Sequence, residues 1–244
     1  RDIKHSLRYL TMSLSGILTP TVMLTLFVYV FGNSIKGSLG GTTTYVNYVA
    51  PAIIIMTVCS GCATTAINLC MDLNEGIITR FRTMAISRAS VLTGQVIGSL
   101  LRTLASVILV ILVALLIGFR PSTSPLAWLE ALGLIVLFTF AITWIAVVFG
   151  IIGKTPAGAN SLSLIFQLLL PFTSSAFIRT ETLPVGIRWF SEHQPITPII
   201  DTIRGLLLGT PIGNSGIVSV IWCIVLALAA FFGAQTLWNR FTVK

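Results

Sequence analysis

The spacing of charges constrains this chain more than any other feature. Residues 9–35, 37–71, 131–153, 155–178 and 205–239 contain no Asp, Glu, Lys or Arg, and residues 89–119 contain only Arg102. A helix needs roughly 20 apolar residues, rising about 1.5 Å each, to cross a hydrocarbon layer about 30 Å thick. Every one of these windows is long enough. Hydrophobic residues make up 55% of the 244 and charged residues 9%, whereas a soluble domain carries about a quarter charged. The pattern predicts an all-α polytopic membrane protein with six transmembrane helices, at about 13–31, 46–71, 92–118, 127–152, 159–178 and 216–238. It reads as one transmembrane domain over 1–244, with no aqueous segment beyond about 40 residues to hold a catalytic domain.

An even number of spans puts both termini on one side. That side would carry Arg1, Lys4, Arg8, Arg80, Arg82, Arg88, Lys154, Arg240 and Lys244; the other would carry Lys36, Arg120, Arg179, Arg188 and Arg204. Because Lys and Arg in short loops resist translocation, the richer side is expected to be cytoplasmic. The net charge of +8 then reflects topology and contact with membrane lipids. No basic face with interleaved aromatics is present, so nucleic acid is not expected as a partner. The opening residues are too polar, and the first span too long, for a signal peptide.

Three segments outside the spans are informative. Before the first span, Ile3, Leu7 and Leu10 repeat at helical spacing opposite Arg1, Lys4 and Arg8. Residues 1–12 therefore read as an amphipathic interfacial helix, with a solvated tail as the alternative. Residues 72–90 open with Asp72 and Glu75 and close with Arg80, Arg82 and Arg88, an order that complements a helix dipole. Ile77, Phe81 and Met84 share one face, which suits docking on a cytosolic partner or lying on the lipid surface. Residues 179–215 are punctuated by Pro184, Pro195, Pro198 and Pro211. The apolar runs 187–190 and 199–208 are expected to be at least half buried, as short helices entering and leaving the outer leaflet on one side. Pro195 and Pro198 are not expected inside an unkinked helix.

Cys59 and Cys62 form a CxxC within an apolar run, without a second CxxC or a nearby His. They read as small packing residues, and no metal or cofactor is expected. Arg102 reads either as an anchor or cavity-lining cation within span three, or as a side chain snorkelling to the inner headgroups. Asn160, Ser163 and Gln167 form a polar stripe on span five, suited to a translocation path or to a permease interface. Glu192 lies near the outer surface beside His193, which is expected to hold a hydrogen bond in a tight turn. Glu130 is expected at the outer end of span four, and Trp128, Trp189 and Trp238 in interfacial belts.

Two stretches carry a family resemblance. One is Asn74-Glu75-Gly76-Ile77-Ile78-Thr79-Arg80-Phe81-Arg82 with Ser87-Arg88. The other runs from Ser174-Ser175-Ala176-Phe177-Ile178 through Leu183-Pro184 and Phe190-Ser191-Glu192-His193-Gln194-Pro195-Ile196-Thr197-Pro198 to Arg204-Gly205-Leu206. In this order, with six spans, they resemble the type-2 ABC exporter permeases, in particular the daunorubicin/doxorubicin-resistance type of actinobacteria. Ala85 departs from the proline common there, which affects the path into span three.

The resemblance implies a bacterial plasma-membrane subunit without an ATPase of its own. The chain indeed lacks a Gly-x-x-x-x-Gly-Lys-Ser/Thr phosphate loop. It implies two ATP-binding cassette ATPase subunits and a second permease chain, identical or not, exporting an amphiphilic compound. Residues 74–88 would be the cytoplasmic coupling helix, and residues 179–215, with Glu192, His193, Gln194, Pro195 and Pro198, an extracellular re-entrant hairpin before the last span. Competing readings are an ion-coupled secondary transporter, which usually needs a mid-membrane carboxylate, and a non-transporting scaffold.

Overall fold

The computed structural model describes residues 19–31, 45–74, 88–121, 123–177 and 184–242. The expected interfacial helix 1–12, most of the coupling segment, and residues 178–183 lie outside the described residues. All described elements are helical: α1 (Thr19–Val30), α2 (Tyr45–Asn74), α3 (Arg88–Ile117), α4 (Pro125–Ile152), α5 (Pro156–Phe172), α6 (Val185–His193), α7 (Ile196–Leu208) and α8 (Ser215–Thr242). Four of these, α2, α3, α4 and α8, are long and apolar enough to cross a membrane, and α1 and α5 are shorter apolar helices.

Local sequence sets the ends. Ser124 Oγ accepts from Ala127 N at 3.4 Å, and Thr155 Oγ1 from Gly158 N at 3.1 Å. Each cap is followed by proline at the first helical position, where no amide proton is needed. Gly209, at φ +69°, ends α7 in the left-handed region that favours glycine. Within α5, Pro171 cannot donate to the preceding turn, and the helix opens into a π turn at Ile165–Leu169 just before it. Pro198 lies in the first turn of α7, where amides have no partner inside the helix. It is therefore accommodated inside α7 rather than at a break, contrary to the sequence expectation. Pro195 holds the break between α6 and α7, as expected.

The core is α2 packed against α4. In the apolar windows of both, 67% of residues are buried within the protein, against 28% in α3 and α8. Close approach depends on glycine. A Cβ on Gly150 of α4 would lie 2.9 Å from the Ala66 carbonyl of α2, and one on Gly61 of α2 would lie 2.5 Å from Thr103 Oγ1 of α3. Apart from α6, the remaining helices pack around this pair, with α1, α3, α5 and α7 against α2, and α8 against α4 and α7. On the α4–α8 seam, Trp144 meets Phe231 edge-on at 4.8 Å. Cys59 and Cys62 are buried in α2 as free thiols, matching their reading as packing residues. Trp238 is also buried, 5% exposed, so it packs within the bundle rather than in an interfacial belt.

Apolar side chains on α3 point away from the protein, among them Leu101, Ile108, Leu112 and Leu116. A surface of that kind in water would be a liability, whereas against lipid tails it carries no cost. Valine at position 150 is expected to lower stability by about 1–3 kcal/mol, because the Ala66 backbone cannot move aside. Alanine at Gly133, which faces open space, is expected to leave it nearly unchanged. Thermal unfolding of the two variants in detergent checks the contrast.

Candidate functional site

At one end of the bundle, α2 finishes on Asn74, the first residue of the expected coupling stretch. Its Nδ2 donates to the Lys154 carbonyl at 3.1 Å. Lys154 lies in the tight α4–α5 turn with φ +53°, a left-handed conformation unusual for a residue with a side chain. Neighbouring Gly153 has no room for a Cβ, which would sit 2.5 Å from Ala159 N. The end of α2 is thus tied to the turn joining α4 and α5. Arg88 opens α3. Glu75, Gly76, Ile77, Arg80, Phe81, Arg82 and Met84 lie outside the described residues.

At the opposite end, α6 and α7 meet at Gln194-Pro195. Gln194 is buried and donates from Nε2 to Thr197 Oγ1 at 3.3 Å. His193 Nδ1 lies 2.8 Å from the Trp189 carbonyl, and its ring stacks on the Trp189 indole at 4.7 Å. Arg188 Nε donates to Glu192 Oε1 at 2.7 Å on the exposed face. His193 therefore has the local hydrogen bond expected of it, and Glu192 an exposed partner. The expected burial divides between the two helices. Residues 199, 200, 202, 203 and 205–207 are buried, whereas Ile187, Trp189 and Phe190 are exposed, Trp189 by 63%. Within the chain α6 packs mainly on α7 among the described residues, and its apolar side chains meet the surroundings.

The densest polar cluster joins this hairpin to the bundle. Arg204 Nη1 donates to Asp201 Oδ1 at 2.9 Å, Nη2 to the Ser175 carbonyl at 3.0 Å, and Nε to the Tyr48 carbonyl at 3.3 Å. Its guanidinium also lies 3.9 Å from the centre of the Tyr48 ring. Tyr48 Oη donates to the same Ser175 carbonyl at 3.1 Å, and Ser175 Oγ to Asp201 Oδ1 at 2.7 Å. Burial pushes the Asp201 carboxyl up, while the Ser175 hydroxyl and then Arg204 pull it back. One arginine thus clasps α7 to the start of α2 and to the turn after α5. Sequence reasoning placed Arg204 among the outer-side charges and at the end of a motif that also holds Ser175, gave neither a contact, and passed over Asp201 and Tyr48. The available signal was a carboxylate and a cation three residues apart within the apolar run 199–208.

Between the two ends, Arg102 stands near the middle of the 30-residue α3, about 21 Å from its start, and is half-buried. An isolated charge at mid-membrane costs about 2.5–3.5 kcal/mol on insertion scales. The polar stripe of α5 divides. Ser163 is fully buried against α2, within hydrogen-bond reach of Cys62, and donates to the Ala159 carbonyl at 2.8 Å. Asn160 and Gln167 are half-buried, and the exposed face of α5 is apolar, with Leu164, Ile165, Leu168 and Phe172.

Comparison with known proteins decides the family. The ABC-2 type transporter family matches residues 1–208. The chain belongs to the ABC-2 type transporter family. Similar curated proteins include the daunorubicin resistance ABC transporter permease protein DrrB1 of Streptomyces coeruleorubidus, 26% identical over 221 residues, covering 91% of this chain and 76% of that one. The probable doxorubicin resistance ABC transporter permease protein DrrC of Mycobacterium tuberculosis is 22% identical over 219 residues, covering 87% and 79%. A putative transport permease, ycf38, of the alga Porphyra purpurea is 25% identical over 200 residues, covering 81% and 68%. This ABC-2 chain is thus a multi-pass membrane permease, the membrane subunit of an ABC exporter.

In this ABC-2 permease, alanine at Arg204 removes the cation and three hydrogen bonds from a half-buried cluster, leaving Asp201 only the Ser175 hydroxyl and the Ser175 carbonyl only the Tyr48 hydroxyl. The expected loss of stability is about 2–4 kcal/mol. Alanine at Arg188, whose ion pair is exposed, is expected to cost under about 1 kcal/mol. Unfolding midpoints of the two variants in detergent measure the difference.

Proposed function

We propose that the chain is one of two permeases in a bacterial plasma-membrane exporter that moves drug-like or lipid-like amphiphiles outward, driven by two ATP-binding cassette ATPase subunits. The observation that carries this reading is the ABC-2 family match over residues 1–208, together with relatives named for daunorubicin and doxorubicin resistance. Six crossings would be completed by α1 and α5 beside the four long helices, with both termini cytoplasmic on the charge asymmetry of the loops. The exposed Val185, Ile187 and Trp189 of α6 favour a re-entrant hairpin in the outer leaflet, where such side chains are in their preferred solvent. The second permease would meet this one on the apolar face of α5, with Asn160 and Gln167 at its margin.

Energy would enter through residues 74–88. ATP binding closes the ATPase pair in this scheme, and the segment passes the movement to α2 and α3, which flank it. The Asn74 bond to the Lys154 carbonyl extends the same movement to α4 and α5. Among the described residues no carboxylate lies at mid-membrane: Asp72 is near the end of α2, Glu130 near the start of α4, and Glu192 and Asp201 lie on the hairpin. An ion-coupled mechanism has no site there.

The coupling role makes a direct prediction. Phe81→Asp places a charge on the apolar face that would dock on the ATPase. It is expected to abolish co-purification of the ATPase, or the stimulation of its activity, while membrane insertion is kept. Unchanged co-purification together with unchanged stimulated ATPase activity would exclude the role.

A further inference from the structure

Along α2, Ser60, Thr64 and Asn68 recur every fourth residue and are half-buried, while most of the helix around them is buried. Along α3, Arg102 and Ser106 are half-buried one turn apart. The two helices run antiparallel and cross where Gly61 meets Thr103. At about 100° per residue, the α2 stripe lies roughly 20–100° to one side of that crossing, and Arg102 and Ser106 lie roughly 60–100° to one side on α3. For antiparallel helices these offsets fall on the same side. Ser60, Thr64 and Arg102 therefore line one groove, with Arg102 level with position 62, midway between the two hydroxyls.

Two polar groups here lack partners. Ser99, one turn from Arg102, is 2% exposed, and its hydroxyl has no hydrogen-bond partner. Arg102 has no ion-pair partner among the described residues, whose two ion pairs are Arg188–Glu192 and Arg204–Asp201. The Ser60 and Thr64 hydroxyls already donate to carbonyls of their own helix, Thr57 and Ser60. What the groove offers is a guanidinium with only donors, an unpartnered hydroxyl buried beside it, and an apolar wall.

A group with two or more anionic oxygens satisfies this set, because the guanidinium fork binds such oxygens two at a time and a hydroxyl adds a third bond. A cationic head would be repelled, and a bare alkyl chain would leave both donors unmet. We propose that the α2–α3 groove receives the acidic headgroup, phosphate or carboxylate, of an amphiphile, with its tail along Leu109 and Val113 toward the outer end of α3. A headgroup at this depth is in transit from the cytoplasmic leaflet, and this role rests on the export reading above. The site would make acidic amphiphiles the preferred cargo.

The test uses the chain in complex with its ATPase partner, in phosphatidylcholine vesicles without nucleotide. Two fluorescent probes share one dodecyl tail and differ in the head, one a phosphate and one a trimethylammonium. The phosphate probe is expected to bind about tenfold tighter, the worth of one hydrogen bond to a charged group. Arg102→Gln is expected to erase the preference, Arg102→Lys to keep most of it, and Ser99→Ala to weaken phosphate binding a few-fold. Equal binding of the two probes, or a preference that survives Arg102→Gln, would overturn the proposal. Should Arg102→Gln fail to insert, undiminished phosphate binding in Ser99→Ala would overturn it as well.

Competitors separate the sources of the headgroup. Displacement by phosphatidylglycerol in the vesicle assigns the site to a lipid, displacement only by free dodecyl phosphate to a soluble amphiphile, and displacement by neither contradicts the site. Adding ATP separates the two claims. A headgroup preference without ATP-driven movement of probe sinks the export reading and leaves the site standing. ATP-driven movement of both probes at equal rates does the reverse.

Discussion

Everything in this fold is arranged around the crossing of α2 and α4, where Gly150 lets the α4 backbone press on the Ala66 carbonyl of α2. Lipid tails are as apolar as leucine, so there is no hydrophobic force to draw helices together within a bilayer. Association must come from dispersion over close contacts, and small residues at the crossing make that approach possible. The same device recurs where Gly61 admits Thr103 of α3. Around this buried pair the peripheral helices expose leucine, isoleucine and valine outward, where the solvent is equally apolar.

The core is locked at both ends by polar bonds. At one end Arg204 gathers the start of α2, the turn after α5 and Asp201 of α7. At the other Asn74 holds the α4–α5 turn. These clasps join segments distant in sequence, 156 residues apart for Arg204 and Tyr48 and 80 for Asn74 and Lys154. A permease that changes shape as a body needs its helix ends fixed to one another, since movement at one helix reaches others only through such joints or through packing. The proposed coupling segment begins at one of these joints.

The charge-free windows of the sequence marked the long apolar helices and their order, because burial in lipid leaves a one-dimensional signature. The proline at 195 marked the break between α6 and α7, and the CxxC of α2 was legible as packing from its apolar surroundings. What stayed hidden depends on contacts between helices. Asp201, Tyr48 and Ser175 are ordinary residues until the fold brings them to Arg204. Trp238 has the composition of an interfacial residue, yet α8 turns it inward. The 187–190 and 199–208 runs shared one expectation of burial in short helices, because apolarity alone cannot distinguish facing protein from facing lipid. Ser163 shows the same limit, sharing a helical stripe with Asn160 and Gln167 while facing α2.

The account is tested most directly by the side of the membrane on which residue 81 lies. The native cysteines at 59, 62, 70 and 223 are buried, so a Phe81→Cys variant offers one accessible thiol for a membrane-impermeant maleimide. A lipid-embedded permease driven from the cytosol predicts labelling only after the cells are permeabilised. Labelling of intact cells at the same rate would contradict it.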